Sequence, residues 1–206
     1  EPRFYATVNY NGAMWRGGQL EFWNSGAEGK SKGGTELYSV TGYLLRKFMD
    51  ENNVNIREGR FVLKTWVYFR LAEQYLNYAE ALNETQGPVE AVYTHVNAVR
   101  DRSGLPGLPT GLSKEEMRER IRHERRIELS FETHRYFDTR RWLIAEKTNK
   151  IDLYGMNIHV GNSLKDDEFY QRTYLKSRVF EKKHYLWPID QNTINVSPLV
   201  VQNPFW

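Results

Sequence analysis

WVYFRLAEQYLNYAEALNETQGPVEAVYTHVNAVR, residues 66–100, decides the architecture of this chain. Trp66, Phe69, Ala72, Leu76, Ala79 and Leu82 recur in steps of three and four, which places them on one face of a helix. Gly87 suits the left-handed residue that follows a helix and Pro88 the first turn of the next, along which Val89, Val92, Val96 and Val99 repeat the spacing. The expected product is a helical hairpin. Its length and its small residues at Ala79 and Ala91 match a single tetratricopeptide unit of ~34 residues, in which small side chains let two helices approach closely. One such unit cannot bury both faces alone and must stack on the helix that follows or on repeats outside these residues.

On the C-terminal side, the Gly104 to Pro109 segment breaks the pattern, and Ser113 with Glu116 forms a capping box that opens a long helix running toward Trp142. From Lys114 to Arg141 there are nine Lys or Arg and seven Asp or Glu with signs interleaved, unlike the one-sided stripe of a nucleic-acid binder. From about Ile144 the chain reads as irregular structure packed over helices, with an acidic turn at 166–168 and an apolar run, Tyr185 to Trp187, stopped by Pro188. On the N-terminal side, seven of the 15 glycines lie between Gly12 and Gly34, the mark of loops and short strands. Phe4, Ala6 and Val8 alternate with Tyr5, Thr7 and Asn9 and run into Asn11-Gly12, which predicts a strand and a hairpin there. The expected division is therefore 1–62 loop-rich with a hairpin, 63–142 helical core, and 143–206 irregular.

Composition removes several classes of function. The 206 residues contain no cysteine, which excludes disulfides, thiolate catalysis and Cys-ligated metals. No apolar run approaches the ~20 residues of a membrane-spanning helix, and a net charge of +3 with 27% charged and 40% hydrophobic residues is ordinary for a globular protein. Aromatic residues make up 14% at a mean hydropathy of −0.70, so some rings are expected to face water or ligand.

The motifs that promise chemistry fall short. Asn24 to Ser31 approaches a phosphate loop, but Asn24 stands where the first glycine belongs, so a flexible surface loop is the better reading. His123-Glu124 begins like a zinc-protease helix, but the second histidine is replaced by Ile127, and no metal site or cofactor is expected. Glu124 and Glu128 sit four apart on one face with Met117 and Ile121; Arg122, Arg125, Arg126 and either Arg70 or Arg100 would lower both carboxyl pKa values. A glycosidase acid needs one raised and needs its partner on the other side of the sugar, so an ion-pair network is expected and no catalytic residue is assigned. What remains is binding. Tyr10, Trp15, Trp23 and Tyr38 lie on the loop-rich first part beside Asn11, Arg16 and other polar groups. Flat apolar faces next to amide and guanidinium donors are suited to stack on sugar rings and hydrogen-bond their hydroxyls. The candidate ligand-binding set is Tyr10, Asn11, Trp15, Arg16, Trp23 and Tyr38.

Five blocks in order carry a resemblance. The 69–83 helix, the Val96 to Arg100 stretch leading to Leu105-Pro106, and Ile121 to Leu129 with His134 to Asp138 and Arg140-Arg-Trp142 closely resemble the SusD/RagB outer-membrane lipoproteins. So do the opening Pro2 to Val8 with Asn11-Gly12 and the closing His184 to Ile189 with Gln202-Asn-Pro204. The resemblance implies a mainly α protein built of tetratricopeptide-like hairpins in an α/α superhelix. It also implies surface exposure at the cell outer membrane through a lipidated cysteine outside these residues. Such proteins capture oligosaccharides, starch among them, without cleaving them, and form a lid over a SusC-like TonB-dependent transporter. Relatives are more than twice as long, so these residues are expected to be the C-terminal portion, with part of the ligand surface elsewhere. In relatives the sugar-contacting rings sit on variable loops, so no signature block transfers a binding residue. The second reading is a tetratricopeptide-type scaffold for a protein partner.

Overall fold

The computed structural model describes residues 1–33, 38–51, 59, 60, 62 and 65–206. Gly34 and the expected start of the helical core at residue 63 lie outside them. The helical hairpin is present as α3 (Leu71–Gln86) and α4 (Glu90–Arg102), with Gly87 at a φ of 79° between them. It begins five residues later than the apolar period predicts. Arg70 caps α3 in an extended conformation because its guanidinium reaches away to Glu128 and Glu132, so Trp66 and Phe69 precede the helix and are exposed. Leu76 and Ala79 of α3 meet Val92, Val96 and Val99 of α4, and Met117 and Ile121 of the following helix close the third side. That helix, α5 (Lys114–Glu128), is the stacking partner that a lone hairpin requires.

The capping box at the start of α5 is complete: the Ser113 hydroxyl accepts from the Glu116 amide (3.1 Å) and the Ser113 amide donates to the Glu116 carboxylate (2.8 Å). The helix does not run on to Trp142. Leu129 ends it, Phe131 and Thr133 take left-handed φ values of 64° and 69°, and the chain restarts as α6 (His134–Arg141). The break brings Asp138 of α6 to the Arg125 guanidinium (3.1 Å), a buried pair that one continuous helix could not make.

The first part differs more from its reading. Residues Pro2–Thr7 form a helix, α1, in place of a strand: Pro2 occupies the first turn and the Glu1 carboxylate accepts from the Arg3 amide (3.3 Å). Strand β1 (Val8–Tyr10) pairs antiparallel not with the segment after Asn11-Gly12 but with a later strand, Tyr43–Leu45. The hairpin lies one turn downstream, between β2 (Met14–Trp15) and β3 (Gly18–Gln19), where Arg16 and Gly17 both have positive φ, 52° and 80°. Two left-handed residues in a two-residue loop match the twist of the strands they join. Asn24 to Ser31 winds through backbone hydrogen bonds, such as Gly26 to Trp23 (2.9 Å) and Ser31 to Asn24 (3.0 Å), into the one-turn helix α2 (Lys30–Gly33). Strand β4 is Tyr43–Leu45.

The last part is less irregular than expected. After a one-turn helix α7 (Ala145–Thr148), β5 (Asp152–Gly155) and β6 (Thr173–Ser177) pair antiparallel with a register shift at Leu153 and Tyr154, and α8 (Gln191–Val196) follows. A second core joins the two ends of the chain: Ala13, Leu20, Phe22 and Trp23 pack on Ile158 and Phe169.

Candidate functional site

The charged face of α5 is scaffold. Glu128 receives Arg3 (2.9 Å), Arg70 (2.5 Å) and Arg102 (2.6 Å), while Glu124 receives Arg100 (2.9 Å) and Arg3. The partners are thus drawn from α1, the entry to α3, and α4, whereas Arg122 pairs with Glu119 and Arg125 with Asp138. Burial alone would raise the Glu128 carboxyl, but the hydrogen bonds from Arg70 and Arg3 outweigh it and hold the group below the usual range. Glu132 is held down in the same way, with Arg70 and Lys47 overcoming its burial. A carboxyl kept ionised by three guanidiniums has no proton to give at neutral pH, so Glu128 does not have the electrostatics of an acid catalyst. Among the described residues no group of three or more His, Asp or Glu side chains is placed to hold a metal ion.

An aromatic cleft of about 220 Å³ lies elsewhere, where the first residues meet the last third of the chain. Phe4 and Tyr5 project from α1, Tyr10 from β1, Tyr43 from the partner position on β4, and Tyr170 from the segment before β6. Phe4 and Tyr5 each stand 5.6 Å from the Tyr10 ring, and Tyr43 meets Phe4 edge-on at 6.3 Å, so the rings brace one another. The cleft is smaller than the ~300 Å³ at which drug-sized pockets begin, which suits it to a single sugar ring or chain end. Its polar edge is fixed: Asn11 donates to the Tyr170 hydroxyl (2.9 Å), which donates in turn to the Leu164 carbonyl (2.8 Å). Burial and the neighbouring Tyr170 push the Tyr43 phenol up, so it stays protonated and able to donate.

Of the expected binding residues, Tyr10 and Asn11 come together in this cleft. Asn11 is buried and serves as a brace, accepting from the Phe22 amide (2.9 Å) as well as donating to Tyr170. Trp23 is a correction: at 7% exposure it is sealed in the second core, because Ile158 and Phe169 arrive from far along the chain to cover it. Tyr38 packs half-buried on the same core, with the Lys30 ammonium 6.0 Å from its ring. Trp15, on the hairpin, has the guanidiniums of Arg16 and Arg46 at 5.7 and 5.2 Å from its ring, and Arg16 also donates to the Asp50 carbonyl (2.9 Å). The six residues therefore do not form one surface. Phe4, Tyr5, Tyr43 and Tyr170 were missed. The Glu1-Pro2 helix start was the available signal for the first two, since it turns an alternating pattern into a helical one; nothing local marks Tyr170.

Comparison with known proteins follows the same lines. The sequence model of the SusD family matches residues 1–206. The chain is 32% identical to a SusD-like protein of Bacteroides fragilis, with a TM-score of 0.79 over 100% of this chain and 39% of that one. It is 30% identical to a SusD-like carbohydrate binding protein of the same organism, with a TM-score of 0.77 over 96% of this chain and 40% of the other. SusD-like protein P25 of Formosa agariphila is 40% identical over 79 residues, 37% of this chain and 15% of that protein. The chain thus spans about two fifths of the length of the solved structures it matches.

Proposed function

This chain belongs to the SusD family, and on that premise we propose that it is part of a non-catalytic protein that captures oligosaccharides at the cell surface and delivers them to a SusC-like TonB-dependent transporter. The observation that carries the reading is the braced cleft of Phe4, Tyr5, Tyr10, Tyr43 and Tyr170, which sets ring faces beside phenol donors. The solved relative described as a carbohydrate binding protein supports the ligand class, and the fully paired carboxylates of α5 support binding without bond cleavage. No helix of the described residues is long and apolar enough to cross a membrane; the proposed attachment to the outer membrane is a lipid anchor outside these residues. Affinity per site is modest, because the sugar hydroxyls leave water bonds nearly as good as those they gain.

Titration calorimetry against a panel of neutral oligosaccharides tests the reading. Tyr5, more than half exposed and outside both cores, is the clean probe: Tyr5→Ala is expected to weaken binding roughly tenfold, as for an aromatic contact residue, with no change in melting temperature. Parent-like affinity in Tyr5→Ala removes the cleft as the site, and absence of any sugar binding removes the function. Protein contact is favoured as a second reading by the exposed Tyr68, Phe69 and Leu71 at the start of α3. It predicts co-purification with a β-barrel transporter that Phe69→Ser weakens while sugar affinity is unaltered.

A further inference from the structure

A larger cavity, about 480 Å³, lies between α6 and residues 178–188, with Trp206 on its wall. Its charge differs in kind from that of α5. Arg135, Arg140 and Arg178 line it, and no Asp or Glu does. None of the three has a carboxylate within ion-pair distance among the described residues; Asp138, the acid on the same helix, is taken by Arg125 (3.1 Å) and Arg141 (2.8 Å). Arg140 is held flat, its guanidinium carbon 3.6 Å from the Tyr136 ring centre and 5.3 Å from that of Phe180, and its Nε is buried without a hydrogen-bond partner. Burial and the nearby Arg126 push the Arg135 guanidinium down from its usual range, against the pull of Asp138, and it remains charged. The walls are rings: Trp187 is 74% exposed and Trp206 45%. The Trp206 indole is pinned by donating to the carbonyls of Lys183 (2.9 Å) and Leu186 (3.1 Å).

The half-buried Arg135 and Arg140, without an ion-paired carboxylate, are a cost that an anionic ligand removes; the exposed Arg178 adds a third positive charge to the lining, and planar donors match a carboxylate or sulfate in bidentate fashion. We propose that this groove binds an acidic sugar unit, a uronate or a sulfate ester within a longer glycan, with Arg135 and Arg178 on its charge and Trp187 and Trp206 against its ring. The sugar part of this assignment rests on the reading of the chain as a glycan binder; the acidic part rests on the groove alone.

The test is calorimetry of this chain with an oligogalacturonate, a sulfated galactan oligomer and a neutral galactan oligomer of equal length, using the parent, Arg135→Gln, Arg178→Gln, Trp187→Ala and Tyr5→Ala. At least one acidic oligomer is expected to bind more tightly than the neutral one, to lose affinity as salt is raised, and to bind about tenfold more weakly in each arginine variant. Which of the two acidic oligomers binds tells carboxylate from sulfate. Arg135→Gln relieves a repulsion, so its melting temperature is expected to equal or exceed the parent's, which separates lost affinity from lost fold. Equal affinity for acidic and neutral oligomers, or arginine variants that bind the acidic oligomer like the parent, overturns the proposal. Neutral binding that Tyr5→Ala abolishes, with no acidic preference, sinks this groove alone; no binding to any of the three sinks the glycan reading with it.

Discussion

Glu128 gathers guanidiniums from three separate segments, Arg3, Arg70 and Arg102, and is itself almost wholly buried. Removing one member of such a group leaves the others desolvated without a counter-charge, so Glu128→Gln is expected to cost about 3 kcal/mol in urea unfolding at pH 7. The same carboxyl sets a pH dependence. Its folded pKa lies below its unfolded value near ~4.3, so as pH falls the unfolded chain takes up the proton first. The stabilisation is complete above that value and fades as pH drops through the folded pKa. Glu132 adds to the effect with the same sign. Unfolding free energies measured from pH 6 down to pH 3 should therefore fall for the parent and fall less for Glu128→Gln. The network was legible in the sequence because a four-residue step on an amphipathic helix fixes which side chains share a face. Its partners were only half legible, since Arg3 and Arg102 reach Glu128 through tertiary placement and not through spacing.

At the scale of elements, local chemistry wrote the starts and tertiary contacts wrote the stops. The Ser113 capping box and the Gly87 turn follow from their own neighbours and appear where the sequence put them. The start of α3 moved because Arg70 is drawn to carboxylates on another helix, and α5 breaks because Phe131 and Thr133 adopt a conformation that their side chains disfavour. Ser113→Ala should lower stability by about 1 kcal/mol, read as a shift in the denaturation midpoint. Thr133→Gly should leave it unchanged or raise it by up to about 1 kcal/mol, because the Thr133 side chain makes no cap bond and its left-handed backbone is strained. A large loss in Thr133→Gly would mean that the break is held by that side chain after all.

For the whole molecule, two cores of different origin are joined. The helical core is drawn from residues within about fifty positions of one another and could be read from periodicity. The second core cannot: Trp23 looked solvent-facing because its cover, Ile158 and Phe169, lies more than a hundred residues away. The glycine-rich start is seated on the last third of the chain at close range, and a Cβ added to Gly155 of β5 would stand 2.7 Å from the Thr41 Cα and 2.8 Å from its carbonyl oxygen. The atoms met are backbone, which cannot swing aside as a side chain can, so Gly155→Ala is expected to destabilise by about 2 kcal/mol and to weaken ligand binding at the aromatic cleft, which Tyr170 closes from the same side. The order of synthesis gives this arrangement a further meaning. A ribosome releases Phe22 and Trp23 long before Ile158 and Phe169 exist, so this glycine-rich segment must wait, rings uncovered, until those distant residues have emerged. A holdase that shields it during that interval is therefore expected to raise the yield of native protein, and the helical hairpin to form first without help.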